Sequence, residues 1–387
     1  MEEDKLNLLR LIFYIISSPI VIIVGILGNA LCLLVITRHR NKLLSNSNGN
    51  GLNGYGYILL CGLALADLGY LATCVTALYF DINLEMICSH IKFVHLFWTP
   101  TVNVLKSTSD FILILLMADR CRVMKNIIEL RIQPVRKDAM KESVSWSVYL
   151  QLLLALVASV ILHLPFYFFE RNDYSTCYNI TVDDDIVSDE ATTTSPDTFD
   201  AVEDMWTMYF MISVTLLKIA PILVVACLNV VLIMRIRKMI QRRKIMNIIG
   251  SLSPNQSVEE IHQNRKAWTV TSRTSIKEQS LAVMTVYVAI SFLLFTLPSN
   301  VASFVYNLPI EYLKDSIVSV YRPTIIITNF AESLHYAIKF YIYFWVHQEI
   351  RESCMDFLQV CIHRMTCKIL KYKMPQSSAS SDVQSQS

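Results

Sequence analysis

"SLHYAIKFYIYFWVHQEIR", residues Ser333 to Arg351, decides how this chain folds. Tyr336 to Val346 is almost wholly apolar or aromatic, the composition of a helix that crosses a membrane, yet it contains Lys339. A charge inside lipid is costly, so the lysine calls for a partner within the protein. The stretch closes the last of seven apolar runs, roughly Leu11–Thr37, Tyr57–Phe80, Phe93–Ala118, Val144–Phe169, Trp206–Met234, Ser280–Tyr306 and Tyr321–Val346. Each is long enough to span a bilayer, for which about 20 residues suffice. Of 387 residues 53% are hydrophobic and only 17% charged, too few charges for a soluble chain of this length. The first run is too long for a signal-peptide core and lacks a small-residue cleavage site, so it reads as a span. The expected fold is an all-α membrane protein, a seven-helix transmembrane bundle followed by a short amphipathic helix.

Charge fixes the expected orientation. With the N-terminus outside, cytoplasmic segments hold 25 Lys or Arg against 11 acids and the exterior 6 against 18. Positive residues belong inside. The chain then divides into an extracellular segment 1–10, a bundle 11–346, a membrane-surface helix 347–362 and a disordered cytoplasmic tail 363–387. The bundle includes an acidic outer loop, 170–205, and a cytoplasmic loop, 235–279. The net charge of +2 hides an acidic outer face and a basic inner one. The basic loops adjoin anionic lipid, so the bilayer and not nucleic acid is their expected partner.

Loop composition follows that map. "LSNSNGNGLNGYGY", Leu44 to Tyr57, reads as a flexible link between spans one and two. From Arg171 to Trp206 the outer loop carries ten acids against Arg171 alone, a field that would steer a cationic ligand, and it offers Asn179 for glycosylation through Asn179-Ile180-Thr181. Of ten cysteines only Cys88 and Cys177 fall on the oxidising side, which leaves one external disulfide to form. Ile350, Met355, Phe357 and Leu358 lie near one face of the segment after span seven, as in a helix resting on a membrane. Cys354 and Cys361 there are candidates for palmitoylation. Nothing resembles a metal site.

Three motifs stand in order on these spans: "GILGNALCLLVI" with Asn29, "LALADL" with Asp67, and "MADRCRVM" with Asp119 and Arg120. Pro221, Phe292, Pro298, Tyr343 and Arg351 add to the pattern. Together they resemble the rhodopsin-like G-protein-coupled receptors over about residues 11 to 362. The resemblance implies a plasma-membrane receptor that binds an extracellular peptide or small molecule and activates a heterotrimeric G protein. It implies an ionic latch in which Arg120 pairs with Glu278 at rest, with Asp119 a second candidate partner. Arg120 cannot shed its proton and needs one or the other, or water.

Apart from Arg322 at the outer end of the last one, six charges lie within the spans: Asp67, Asp110 and Glu332, with Lys106, Lys218 and Lys339. Paired and turned inward they are tolerable; unpaired they are not. Lys106 and Asp110, four apart, can pair on one helix face, or Glu332 can reach Lys106 across the bundle. Lys339 stands four residues before Tyr343, where the family carries Asn. In relatives that Asn faces the acid of span two and a serine of span three, here Asp67 and Ser109, around a sodium ion. The expectation is that Lys339 replaces the ion and pairs with Asp67, in a buried polar switch with Asn29, Ser109 and Tyr343. No cofactor is expected.

Other positions depart from the family. Cys121 follows Arg120 where Tyr is usual, Thr296 replaces a Trp, and Asn229 replaces a Tyr; Cys88 lies about two turns further out than the usual cysteine. Val102 occupies the place of the amine receptors' aspartate, and Ser333 that of the opsin lysine, which disfavours both ligand classes. "ILHLPFYFFER" and "HLFWTPTVNVLKSTSDF" are similar to invertebrate receptors for FMRFamide-type neuropeptides. The expected ligand is therefore a peptide, touching Thr99, Val102, Asn103, Lys106 and Glu332, with an orphan small-molecule chemoreceptor as the alternative. An ion-coupled transporter would show internal repeats or helices broken at the midplane, and an enzyme a nucleophile, metal or phosphate motif; the sequence shows none of these.

Overall fold

The computed structural model describes residues 2–46, 52–82, 97–130, 143–168, 218–252, 258–306 and 314–373. Cys88, Cys177, Asn179 and the acidic loop 170–205 lie outside them. A helix over Glu2–Arg10 runs through a π-helical segment, Leu11–Ser17, into α1 (Ser18–Asn46). Then follow α2 (Leu52–Ile82), α3 (Thr99–Leu130), α4 (Ser143–Phe168), α5 (Ala220–Leu252), α6 (Val258–Tyr306), α7 (Lys314–Val346) and α8 (Gln348–Lys373). Helices satisfy every backbone N–H and C=O within one segment, which hydrocarbon demands. Six of these helices are long and apolar enough to cross a membrane. α7 is not among the six, since Glu332, His335 and Lys339 interrupt its apolar sequence, yet it packs as the seventh member.

α3 is the central strut of the packing. It lies against α2, α4, α5 and α6, while α7 stands between α1 and α6 and also meets α2. Polarity is inverted relative to a soluble protein. Leu27, Leu65, Leu153 and Leu294 face outward, whereas Asn29, Asp67, Ser109, His335 and Lys339 are fully buried. α4 shows the rule on one helix. It turns Val148, Leu152, Ala155, Ser159 and His163 inward and leaves Leu150, Leu153, Leu154, Val157 and Ile161 exposed. The main apolar core joins Leu59, Leu63, Leu113, Leu116, Val288, Phe292 and Tyr343. A second cluster, with Cys121, Met124, Leu232, Ile236 and Ala282, ties α3, α5 and α6 at the end that carries Arg120.

Three sequence expectations are corrected. Much of the expected loop 235–279 is helical and belongs to extensions of α5 and α6, because both segments continue without a helix breaker. The helix after span seven ends at Lys373 and not near 362, so the expected tail begins in helix. The apolar residues of α8 also serve two faces and not one. Ile350 and Phe357 pack on the bundle, while Met355 and Leu358 join Ile362 and Met365 on an exposed stripe. Cys354 shares the inner face and is buried, which removes it from acylation in this arrangement; Cys361 is half-exposed.

Close helix approach depends on glycine where α1 meets α7. A Cβ on Gly25 would stand 2.7 Å from the Ala337 Cβ, and one on Gly28 would stand 3.0 Å from the Phe340 ring. Small residues at such seams let backbones approach, which matters where no water drives helices together. Gly25→Val is therefore expected to destabilise the bundle by about 1–3 kcal/mol, the usual cost of overpacking. Thermal unfolding in detergent measures it, with the outward-facing Leu150→Ala as the variant that leaves the transition unchanged.

Candidate functional site

At the centre of the bundle Lys339 is 0% exposed. Its ammonium donates to Asp67 Oδ1 at 2.9 Å and to Ser109 Oγ at 2.9 Å, and Ser109 Oγ donates to Asp67 Oδ1 at 2.6 Å. Nζ also lies 4.6 Å from the Tyr336 ring centroid, within cation–π range. α2, α3 and α7 thus meet at one charge. The ammonium occupies the space beside Asp67 Oδ1 and Ser109 Oγ. Asn29 reaches the same region from α1, its Nδ2 donating to Gly25 O at 3.0 Å and Tyr336 O at 3.1 Å. Tyr343 is buried in the main core, and its hydroxyl has no hydrogen-bond partner among the described residues. It lies apart from the ammonium's bonds.

Further along the same interface Lys106 of α3 is ion-paired with Glu332 of α7. Of the two pairings the sequence left open, the one across the bundle forms, and Lys106 does not close on Asp110. Asp110 Oδ1 instead accepts a 3.4 Å bond from the Tyr336 hydroxyl. Glu332, Tyr336 and Lys339 recur at spacings of four and three along α7, and Ser109 and Asp110 follow Lys106 by three and four along α3. The two faces form a ladder of three rungs. Val102 and Asn103 are half-buried nearer the helix start, and Thr99 is exposed. Tyr336 was absent from the sequence reading, as were the Ser291–His335 contact at 3.3 Å and the Ser107–His163 contact at 2.9 Å. The 332/336/339 spacing was the signal that would have found Tyr336.

At the other end of α3, Arg120 is 2% exposed and bonds two acids. Nη1 donates to Glu278 Oε2 at 2.7 Å and Nη2 to Asp119 Oδ2 at 2.7 Å. The guanidinium thereby ties α3 to α6. It is seated over Gly56 of α2, where a Cβ would stand 1.9 Å from Nη2. Arg235 of α5 donates to the Cys121 carbonyl, and the Tyr57 hydroxyl donates to Glu349 Oε2 of α8 at 3.4 Å. Gly56 lies in the stretch read from sequence as a flexible link, and nothing in its composition announces that an arginine needs the room.

The family model described as serpentine type 7TM GPCR chemoreceptor Srw matches residues 16–361, from the start of the bundle into α8. A comparison with curated proteins finds no match. The receptor class read from the motifs is thus shown, under a chemoreceptor family and not specifically as a FMRFamide-type receptor.

The central pair makes a measurable prediction. Lys339→Met leaves Asp67 buried without a counter-charge, a loss of about 3–5 kcal/mol. Adding Asp67→Asn removes the orphaned charge and is expected to restore most of the thermal stability. Equal destabilisation in the single and double variants would show that the two residues are not coupled.

Proposed function

The chain belongs to the Srw family of serpentine seven-transmembrane G-protein-coupled receptors, and from that premise we propose that it binds an extracellular peptide at the Lys106–Glu332 end of the bundle and activates a heterotrimeric G protein at the Arg120 end. In this reading the protein sits in the plasma membrane with its N-terminus outside. The observation that carries the peptide assignment is the ion pair between Lys106 and Glu332. A free lysine at the base of the pocket would repel the arginine-bearing, amidated peptide that the acidic loop 170–205 suits; a neutralised one does not. Val102 and Asn103 line the way to that pair, with Thr99 at its rim.

Signalling would then turn on Arg120. While it holds Glu278, α3 and α6 are latched; releasing Glu278 frees the arginine and opens a cleft for the G protein. Lys339 takes the place of sodium, so the reading invokes no cofactor. The family's description as chemoreceptors favours a second reading, a small-molecule ligand in the same pocket.

Expression with a promiscuous G protein and a calcium readout separates the two. Amidated, arginine-containing peptides are expected to evoke responses that Glu332→Gln weakens at least tenfold. Responses confined to small uncharged molecules would replace the peptide assignment. Independently, Glu278→Gln is expected to raise basal nucleotide exchange severalfold, and Arg120→Ala to abolish stimulated exchange. Unchanged exchange in both would sink the latch.

A further inference from the structure

Three carboxyl groups, Asp67, Asp110 and Glu332, are buried where α2, α3 and α7 meet. Two ammonium groups are bonded to them: Lys339 holds Asp67 and Lys106 holds Glu332. Asp110 is left over. It is 6% exposed, and its bond from Tyr336 is long for an O–H···O contact. Among the described residues no cation stands within ion-pair distance of it. The charged groups that face Asp110 are Glu332 and Lys339 from α7, Asp67 from α2, and Lys106 from its own helix. His163 of α4 and Lys218, just before α5, face Lys106 from the other side. A carboxylate so placed is far less costly when neutralised.

We propose that Asp110 is a proton-binding site, carrying a proton while Lys106 is held by Glu332, and that Lys106 can exchange one acid for the other. Lys106 and Asp110 are four residues apart on one face of α3, so the ammonium reaches Asp110 by a side-chain rotation. The exchange balances. Lys106–NH3+ paired with Glu332–COO−, beside Asp110–COOH, becomes Lys106–NH3+ paired with Asp110–COO−, beside Glu332–COOH. One proton passes from Asp110 to Glu332 and no net charge is created in the low-dielectric interior. What changes is mechanical: the first state ties α3 to α7, and the second ties α3 only to itself. Lys106 retains 16% side-chain exposure, so the site is not sealed from solvent protons. Losing the proton altogether leaves two carboxylates sharing one lysine, which also weakens the tie between the helices. Raising the pH is therefore expected to favour the untied state.

The site can be read without any ligand, by infrared difference spectroscopy on the full chain in lipid nanodiscs. A protonated-carboxyl C=O band is expected near neutral pH, shifted by carboxyl-13C aspartate labelling and lost in Asp110→Asn. The band is also expected to vanish in Glu332→Gln, because Lys106 then turns to Asp110, and to persist in Asp67→Asn. Asp110→Asn, which resembles the protonated acid, should leave the thermal transition unshifted. No aspartate-sensitive band in the wild type overturns the proposal even if the variant fails to fold. So does a band that survives in a folded Asp110→Asn protein. The link to signalling rests on the receptor reading above and has its own readout: basal nucleotide exchange should rise with pH in the wild type and not in Asp110→Asn. The infrared result with no exchange at any pH would keep the proton site and remove the receptor reading.

Discussion

The hydrocarbon core of a bilayer offers a charge no solvation, and a buried ammonium there is tolerable only when oxygen ligands are gathered around it. Lys339 meets that constraint by drawing Asp67 and Ser109 to one point, and in doing so it sets α7 against α2 and α3. Apolar packing cannot specify this arrangement, since lipid tails satisfy leucine as well as a neighbouring helix does. The seams that are specific are those where backbone approaches backbone or where polar groups must pair. α7 has both on adjoining faces. Ala337 and Phe340 close on Gly25 and Gly28 of α1, while Tyr336 O takes the Asn29 amide and Lys339 takes Asp67. The helix too polar to count among the six apolar spans is thus held to its neighbours by both kinds of contact.

The two candidate functional ends share a single element. Lys106, Ser109, Asp110, Asp119 and Arg120 all belong to α3. At 1.5 Å per residue, the fourteen positions from Lys106 to Arg120 span roughly 21 Å. Coupling over that distance needs a component with two discrete arrangements, not merely a line of contacts. α3 is suited to carry it because it touches α2, α4, α5 and α6. A rotation or slide that trades one rung partner for another near Lys106 must be met by repacking around Cys121 and Met124, where the second apolar cluster joins α3 to α5 and α6.

Legibility from sequence divided along physical lines. Hydropathy is a local property, and it marked the spans; that Lys339 faces Asp67 came from the resemblance to a receptor family and not from local pattern. Steric room is not local. Gly56 looked like part of a link, although it forms the floor under the Arg120 guanidinium. Similarly, i,i+4 spacing allowed Lys106 to pair with Asp110, and only the position of α7 decides that Glu332 takes it. The apolar residues of α8 were legible as a set, but their division between bundle and exterior depends on how α8 meets α1 and α7. Of the expected fifth span, Trp206 to Leu217 lie outside the described residues, which resume at Lys218.

The departures from the receptor pattern fit one another when read as a change of currency from aromatic to ionic contacts. Where relatives carry Tyr after the arginine, Cys121 gives only a weak 3.7 Å contact to Leu228 O, and Arg235 donates to the Cys121 carbonyl to hold α5 against α3. Where relatives carry Trp in span six, Thr296 turns its hydroxyl back to Phe292 O at 2.6 Å and presents no large ring. The rigid parts are instead the pairs Lys106–Glu332, Lys339–Asp67 and Arg120–Glu278. Ionic ties in a medium of low dielectric are strong while matched and costly once one partner leaves. A bundle built on them resists partial rearrangement: each pair must be exchanged whole or neutralised by a proton. Aromatic side chains can slide past one another through intermediate packings, and these pairs cannot. The physical consequence is a bundle whose helix positions are set by which acid each buried cation holds.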